Sequence, residues 1–162
     1  MEKKINKHEV DVSKLTFEQL KRVRAYLKKM VEVGGSDLHI KANSVVRARV
    51  KGKIVQFAGG VFAKEDALTF AKEILKGRFA ELAENKEIDF VYPFSEKSRF
   101  RVNIFFQMDG ISAVFRVIPV EIPNMKDLKL PEVIESFVEK ERGLVLVTGV
   151  TGSGKSTTLA SI

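Results

Sequence analysis

The 162-residue chain has a formal net charge of +7, 44% hydrophobic residues, twelve phenylalanines, two histidines and no cysteine. This composition supports a packed core and excludes a disordered chain, a disulfide framework and a zinc site. No stretch approaches the roughly 18 consecutive apolar residues of a membrane helix, and the start, MEKKINKHEVDVSK, lacks the apolar stretch of a secretory signal. We therefore expect a cytoplasmic protein without an integral membrane segment.

Residues 1–33 form a basic region, with nine Lys and Arg against five Asp and Glu. Its apolar residues recur at helical spacing and are Leu20, Val23, Leu27, Met30 and Val31. We interpret the region as an amphipathic helix with a solvated Lys/Arg face, in preference to a nucleic-acid-binding arm.

Residues 34–118 are predicted to form an α+β domain, an antiparallel sheet with helices. After Gly34 and Gly35, the pieces DLHIK, VVRARV and IVQF indicate a small meander. A helix over residues 63–75 and a shorter one in FAELAENK follow. Three longer strand candidates end the domain: EIDFVYPF, RFRVNIFF and ISAVFRVI.

The last two strands are predicted to form a hairpin, because Asp109 and Gly110 between alternating runs are a strong turn signal. With these turn residues, Val102 lies opposite Val117, and one face of the hairpin is wholly apolar. The other face is polar and carries Arg99, Arg101, Asn103 and Arg116.

Two pairs of titratable side chains alternate onto single strand faces. Glu87 and Asp89 are expected to neutralise Arg99 or Arg101 on the next strand, a contact worth under about 1 kcal/mol if exposed. Asp37 and His39 have no third partner in the sequence, so we interpret them as an ordinary polar strand face rather than an acid/base pair.

A domain linker is placed at residues 119–131, which hold three of the four prolines. The segment PEVIESFVEK then predicts a helix opened by proline. GLVLVTG is a continuous apolar run, as expected of a strand covered on both faces in a parallel sheet. Residues 132–162 are therefore predicted to begin a second domain.

The end of the chain matches a phosphate-binding loop, Gly149-x-x-x-x-Gly154-Lys155-Ser156, between the predicted strand and a helix start. Glycines allow backbone N–H groups to surround a phosphate, and the helix adds its positive end. We predict ATP and Mg²⁺ as cofactors, with Lys155 contacting the β- and γ-phosphates and Ser156 ligating the metal. The predicted nucleotide-binding residues are Gly149, Thr151, Gly152, Ser153, Gly154, Lys155, Ser156 and Thr157.

Such a loop binds a nucleotide but does not by itself hydrolyse one. Hydrolysis also needs an acidic residue near the metal and a group that orients water, which usually lie on later strands of the same sheet. We therefore expect the chain to be a fragment of a longer protein and not to hydrolyse nucleotide by itself.

Several segments together resemble one family, namely GGSDLHI, RFRVNIF, GISAVFRVIP and LPEVIESFVEKERGLVLVTGVTGSGKSTTLA. From about Gly34 onward they are similar to the amino-terminal half of bacterial type IV pilus and type II secretion motor ATPases, closest to the PilT twitching-motility (retraction) type. The resemblance implies a PAS-like domain over 34–118, a linker, and the first strand, loop and helix of a truncated RecA-like ATPase domain. It also implies a ring of six subunits, an inner-membrane pilus platform protein as partner, and a location peripheral to that membrane.

The resemblance further gives a role to the polar hairpin face. In similar motors, arginines of the amino-terminal domain close over the nucleotide phosphates, and the matching positions are Arg101 and Arg116. From the residues alone, two strand arginines indicate a solvated face. With the resemblance, they become catalytic cations that act beside Lys155, because a guanidinium brought in on closure stabilises charge on the γ-phosphate.

Two other functions stay open at this point. A nucleic-acid translocase or helicase also couples such a loop to movement and would use the basic amino-terminal region, although nucleic acid is not the partner we expect. A third, non-enzymatic hypothesis makes the PAS-like part a ligand-binding or assembly module.

Overall fold

The computed structural model describes residues 10–96, 98–119, 123–150 and 153–162, and it confirms the predicted α+β class. The chain divides into two units, one ending at Ile118 and the other beginning at Pro119. We refer to them as unit 1 and unit 2.

Unit 1 is built on a six-stranded sheet with the order β3-β2-β1-β6-β5-β4. The paired strands run antiparallel, and β1 pairs with both β2 and β6. The β1–β6 pair therefore joins two three-stranded meanders that are distant in sequence. The strands are β1 Gly35–Lys41, β2 Ser44–Val50, β3 Lys53–Phe62, β4 Glu87–Ser95, β5 Ser98–Gln107 and β6 Gly110–Pro119.

Three helices supply the rest of the hydrophobic core of unit 1. They are α1 Glu18–Glu32, α2 Lys64–Leu75 and α3 Phe79–Asn85. The predicted apolar stripe of α1 is buried at Val23, Leu27 and Met30, while its lysines and Arg24 are exposed. In the described part of the chain, no helix is long and apolar enough to cross a membrane.

The hairpin turn between β5 and β6 lies one residue earlier than predicted. The turn residues are Met108 and Asp109, and Gly110 already begins β6. This shift moves the pairing by two residues, and because side chains alternate with a period of two, each residue stays on its predicted face. Val102, Ile104 and Phe115 are accordingly buried, and Arg101 and Arg116 are exposed.

A buried carboxylate connects α1 to α2. Glu73 of α2 is fully buried, and its side chain accepts a hydrogen bond from Leu20 N at 2.6 Å and a longer one from Thr16 Oγ1 at 3.4 Å. Helix α1 begins after Phe17, which has no side-chain cap hydrogen bond of its own. The first N–H groups of a helix have no partner within it, so Glu73 caps α1 from a neighbouring helix.

Unit 2 contains less regular structure than the sequence predicts. The predicted helix in PEVIESFVEK is a 3-10 turn, Glu132–Ile134, followed by one short helix, α4 Glu135–Val138. The predicted strand over residues 143–149 is not formed, and Leu144 and Leu146 are 82% and 73% exposed. The strand prediction was wrong, because a buried strand needs strands beside it, and the described residues of unit 2 contain none.

We predict that Glu73→Ala lowers the free energy of unfolding by about 1–3 kcal/mol, because it leaves the partly buried Leu20 N–H without its acceptor. Urea denaturation followed by circular dichroism measures the change. The control is Glu84→Ala at an exposed position of α3, which should stay within about 0.5 kcal/mol of the wild type. Equal stability of the two variants would contradict the capping role.

The α1–β1 connection requires a residue without a side chain at position 35. A Cβ added to Gly35 would lie 2.5 Å from Met30 Cγ, 3.1 Å from Met30 O and 3.3 Å from Arg49 O. We predict that Gly35→Ala destabilises the protein by about 1–3 kcal/mol through overpacking. Gly59→Ala is the matched strand control, since a Cβ there has no atom within 4 Å. Thermal melting of the two variants distinguishes them, and equal midpoints would refute the packing argument.

Candidate nucleotide site

The predicted phosphate-binding loop lies in unit 2, directly before α5 Lys155–Ala160. Two of its predicted residues, Thr151 and Gly152, lie outside the described residues. Gly149 has φ 150°, and a Cβ there would lie 2.7 Å from Ser153 Oγ. Gly154 has φ 93° and is the residue that precedes the helix. A side chain at either position would be strained, so the loop conformation itself depends on glycine.

Lys155 turns back toward the loop that precedes it. Its Nζ donates a hydrogen bond to Val150 O at 2.8 Å, and Ser153 N donates to the same carbonyl oxygen at 3.2 Å. An ammonium group that contacts a loop carbonyl oxygen can also contact a phosphate oxygen as a point charge. Ser156 and Thr157, in the first turn of α5, are exposed. Their hydroxyl groups are therefore accessible to a metal ion or a phosphate.

The second group of predicted residues lies in unit 1, on the face of the sheet opposite the helices, which we call the open face. Arg49 of β2, Asp37 of β1 and Arg116 of β6 are direct cross-strand neighbours in one row. In the same sheet, β4 pairs with β5 so that Val91 lies opposite Arg101 and Asp89 lies opposite Asn103. Opposite charges side by side in a sheet stabilise each other and fix where the side chains lie.

Asp37 is the centre of this row. Its side chain is only 8% exposed and accepts hydrogen bonds from Arg116 Nε at 2.9 Å and Ser36 Oγ at 2.8 Å, with Arg49 Nε at 3.5 Å. Burial by itself would raise the pKa of Asp37, but the hydrogen bonds from Arg116 and Ser36 outweigh it and hold the pKa below the ordinary 3.8. The sequence interpretation of Asp37 as an ordinary polar residue missed this contact, because the β1–β6 pairing that creates it joins distant segments.

Arg101 forms a different contact. Its Nε and Nη2 donate to the two carboxylate oxygens of Asp89 at 3.1 and 3.0 Å. The hydrogen bonds from Arg101 lower the pKa of Asp89. Both partners are largely exposed, 64% for Arg101 and 44% for Asp89. The predicted neutralisation of Arg101 by a carboxylate of the preceding strand is thus confirmed for Asp89.

The two predicted arginines line the same cavity. It has a volume of about 350 Å³ and is lined by Asp89, Arg101, Asn103, Val114 and Arg116. Two guanidinium groups and one carboxylate make it a cationic depression whose charge and hydrogen-bond donors suit a phosphate group. A neighbouring depression of about 310 Å³ contains apolar side chains as well, including Ile54, Phe105 and Val114. The open face therefore combines charge with apolar surface.

Comparison with known proteins places the chain in a family. The family described as Type II/IV secretion system protein matches residues 16–162. The chain therefore belongs to this family, which confirms the resemblance seen in the sequence.

Relatives and a solved structure agree with this assignment. The chain is 34% identical over 149 residues to the type IV pilus ATPase PilU of Pseudomonas aeruginosa, covering 91% of the chain and 37% of PilU. It is 38% identical over 130 residues to the type IV pilus retraction ATPase PilT of the same organism, covering 80% of the chain and 38% of PilT.

Its fold matches the crystal structure of the pilus retraction motor PilT with bound ADP, with a TM-score of 0.70 and 33% identity over 86% of the chain and 41% of that structure. The chain thus spans about two-fifths of the length of the proteins that it matches.

The lowered pKa of Asp37 gives a pH-dependent stability. A carboxyl group whose pKa is lower in the folded state stabilises the protein above its ordinary pKa, and this contribution is lost as the pH falls through the folded value. We predict that Asp37→Asn costs roughly 1–2 kcal/mol at pH 7 and that the difference from wild type narrows as the pH falls below about 4. Asp89→Asn should cost less stability at pH 7 than Asp37→Asn, because the pair of Asp89 with Arg101 is more exposed. Urea denaturation at pH 7 and pH 3 tests this, and a gap that is independent of pH would contradict it.

Proposed function

We propose that this family member is the amino-terminal part of a hexameric ATP-driven motor that powers type IV pilus retraction, or the assembly of a related pilus or secretion system. The observation that carries the proposal is the match of residues 149–156 to the pattern of a phosphate-binding loop, in a chain whose relatives include proteins named as type IV pilus ATPases. Those names favour a pilus motor over the nucleic-acid translocase.

The proposed domain organisation is a PAS-like domain at 34–118, a linker at 119–131 and the beginning of a RecA-like ATPase domain at 132–162. The division of the chain at Ile118 and Pro119 supports a boundary there. The antiparallel sheet with helices on one side supports the first domain. Region 1–33 supplies α1, which packs into the core of unit 1 and leaves its lysines and Arg24 exposed.

In the proposed mechanism, ATP binds to the loop of unit 2. Glycine N–H groups, including those of Gly149, Gly152 and Gly154, surround the phosphates, and Thr151, Ser153 and Thr157 add polar contacts. Lys155 exchanges its bond to Val150 O for the β- and γ-phosphate oxygens. Ser156 would hold Mg²⁺ through its hydroxyl group, and the metal would offset the charge of the phosphates. The accessible hydroxyl of Ser156 and the position of Lys155 fit these roles.

Arg101 and Arg116 are proposed to complete the site when the amino-terminal domain closes over the nucleotide. Their shared cavity on the open face supports this role, because two guanidinium groups in one depression can contact one phosphate group. Stabilisation of developing charge only in the closed state ties cleavage to domain movement. In the proposed motor, such movements of several subunits around a ring together exert force on the pilus.

The proposed assembly is a ring of six copies in the cytoplasm, held at the inner membrane by a pilus platform protein. An open face with apolar side chains beside charged ones, such as Ile54 at 47% exposure, supports contact with another protein surface. The acidic and water-orienting groups needed for hydrolysis are proposed to come from residues outside this sequence, so that the 162 residues alone bind without hydrolysing.

We predict that, in the full-length motor, Lys155→Ala abolishes ATP turnover and weakens ATP binding, because the loop loses its only cation. Arg101→Ala and Arg116→Ala should each lower kcat by about 10²–10³-fold while ATP still binds. Steady-state hydrolysis and titration calorimetry with Mg²⁺ and ATP measure the two effects.

The matched control is Arg99→Ala, an exposed arginine of the same strand as Arg101 that does not line the cavity, and its turnover should remain within twofold of wild type. Full turnover in both Arg101→Ala and Arg116→Ala would remove the arginines from the mechanism. Absence of binding heat in the unmodified motor would overturn the nucleotide site itself.

A further inference from the structure

Arg101 and Arg116, which line the same cavity of the open face, are held by carboxylates in two different ways. Arg116 donates to Asp37 through Nε, and no other described residue accepts a hydrogen bond from this guanidinium group. Arg101 donates to Asp89 through both Nε and Nη2. The number of N–H groups left for a phosphate is therefore different at the two positions.

At Arg116 the contact with Asp37 orients the side chain through Nε and does not use Nη1 or Nη2. The acceptor is a nearly buried carboxylate fixed between two cross-strand arginines, while the side chain of Arg116 is 67% exposed. The Nη1 and Nη2 groups have no acceptor among the described residues and can form the paired hydrogen bonds that phosphate oxygens accept. An arginine held at Nε also loses less rotational freedom when it binds a ligand.

At Arg101 the contact uses the paired donors that a phosphate would need. The Asp89 carboxylate occupies Nε and Nη2 in a side-on pair and leaves Nη1 as the remaining nitrogen. Phosphate and carboxylate oxygens compete for the same planar fork of donors. Both side chains are largely exposed, so the pair is weak enough to be exchanged for a more highly charged ligand.

We propose that Asp37 is a positioning residue that orients Arg116 for the nucleotide phosphates, whereas Asp89 competes with those phosphates for Arg101. This inference rests on the proposed function. It assigns opposite effects to two carboxylates on the same sheet face. Asp37 supports catalysis through Arg116, and Asp89 holds Arg101 in an unreactive pair until nucleotide displaces it.

The test measures KM and kcat for ATP in the full-length motor. Asp89→Asn should lower KM about two- to fivefold with kcat not reduced, the size of effect expected from loss of an exposed pair. Asp37→Asn should lower kcat on the order of tenfold with KM within about twofold. The matched control is Glu81→Gln, which breaks a similar exposed side-on pair between Glu81 of α3 and Arg78, the residue before that helix. Both constants should be unchanged.

Double variants separate these roles from a general loss of stability. Asp37→Asn should have no further effect on kcat in the Arg116→Ala background, and Asp89→Asn none on KM in the Arg101→Ala background. The same tenfold loss in the Arg116→Ala background would overturn the positioning role. An unchanged or raised KM in Asp89→Asn would overturn the competing role.

If Asp37→Asn does not fold, Arg116→Lys tests the same contact from an exposed position. It keeps the charge but removes Nε, so kcat should fall as for Asp37→Asn, and wild-type turnover would overturn the inference. Full turnover in both arginine-to-alanine variants refutes the proposed function and this inference together. Loss of turnover in those variants, with Asp37→Asn and Asp89→Asn both indistinguishable from Glu81→Gln, refutes the inference alone.

Discussion

The pairing of β1 with β6 is the contact on which unit 1 depends. It joins a meander of β1, β2 and β3 to a second meander of β4, β5 and β6, and it makes one sheet of two separate pieces. On the covered face, it brings Leu38 beside Phe115, and both are fully buried. On the open face, the same pairing places Asp37 beside Arg116. The same strand register therefore determines contacts in the core on one face of the sheet and contacts of the candidate site on the other.

This register explains why a carboxylate can be nearly buried on an otherwise open face. Asp37 lies in a central strand between Arg49 and Arg116, and the two guanidinium groups replace part of the water that it loses. Asp89 lies on the edge strand β4 and remains much more exposed. The positions of β1 and β4 in the sheet thus set how exposed the carboxylates of Asp37 and Asp89 are. This difference in exposure underlies the two proposed roles.

The alternation of side chains along β5 and β6 was enough to predict which residues face the core. It was not enough to predict the turn, because the two candidate positions, Asp109–Gly110 and Met108–Asp109, shift the pairing by two residues and bury the same side chains. The strand prediction for the apolar run at 143–149 failed for a related reason. Hydrophobicity indicates that a segment needs cover, but the partner strands must be present for it to become part of a sheet.

By itself, the sequence determined the α+β class, the amphipathic α1 and the motif around Lys155, because these depend on local periodicity or on closely spaced residues. The family followed from the resemblance of several segments, which the family match over residues 16–162 confirms. The contact of Arg101 with Asp89 also followed from neighbouring strands in the chain. Only the tertiary structure decided that Asp37 holds Arg116 and that Glu73 caps α1. These residues are separated by 79 positions in the first pair and by 53 in the contact of Glu73 with Leu20, and no local pattern records a partner that only folding brings near.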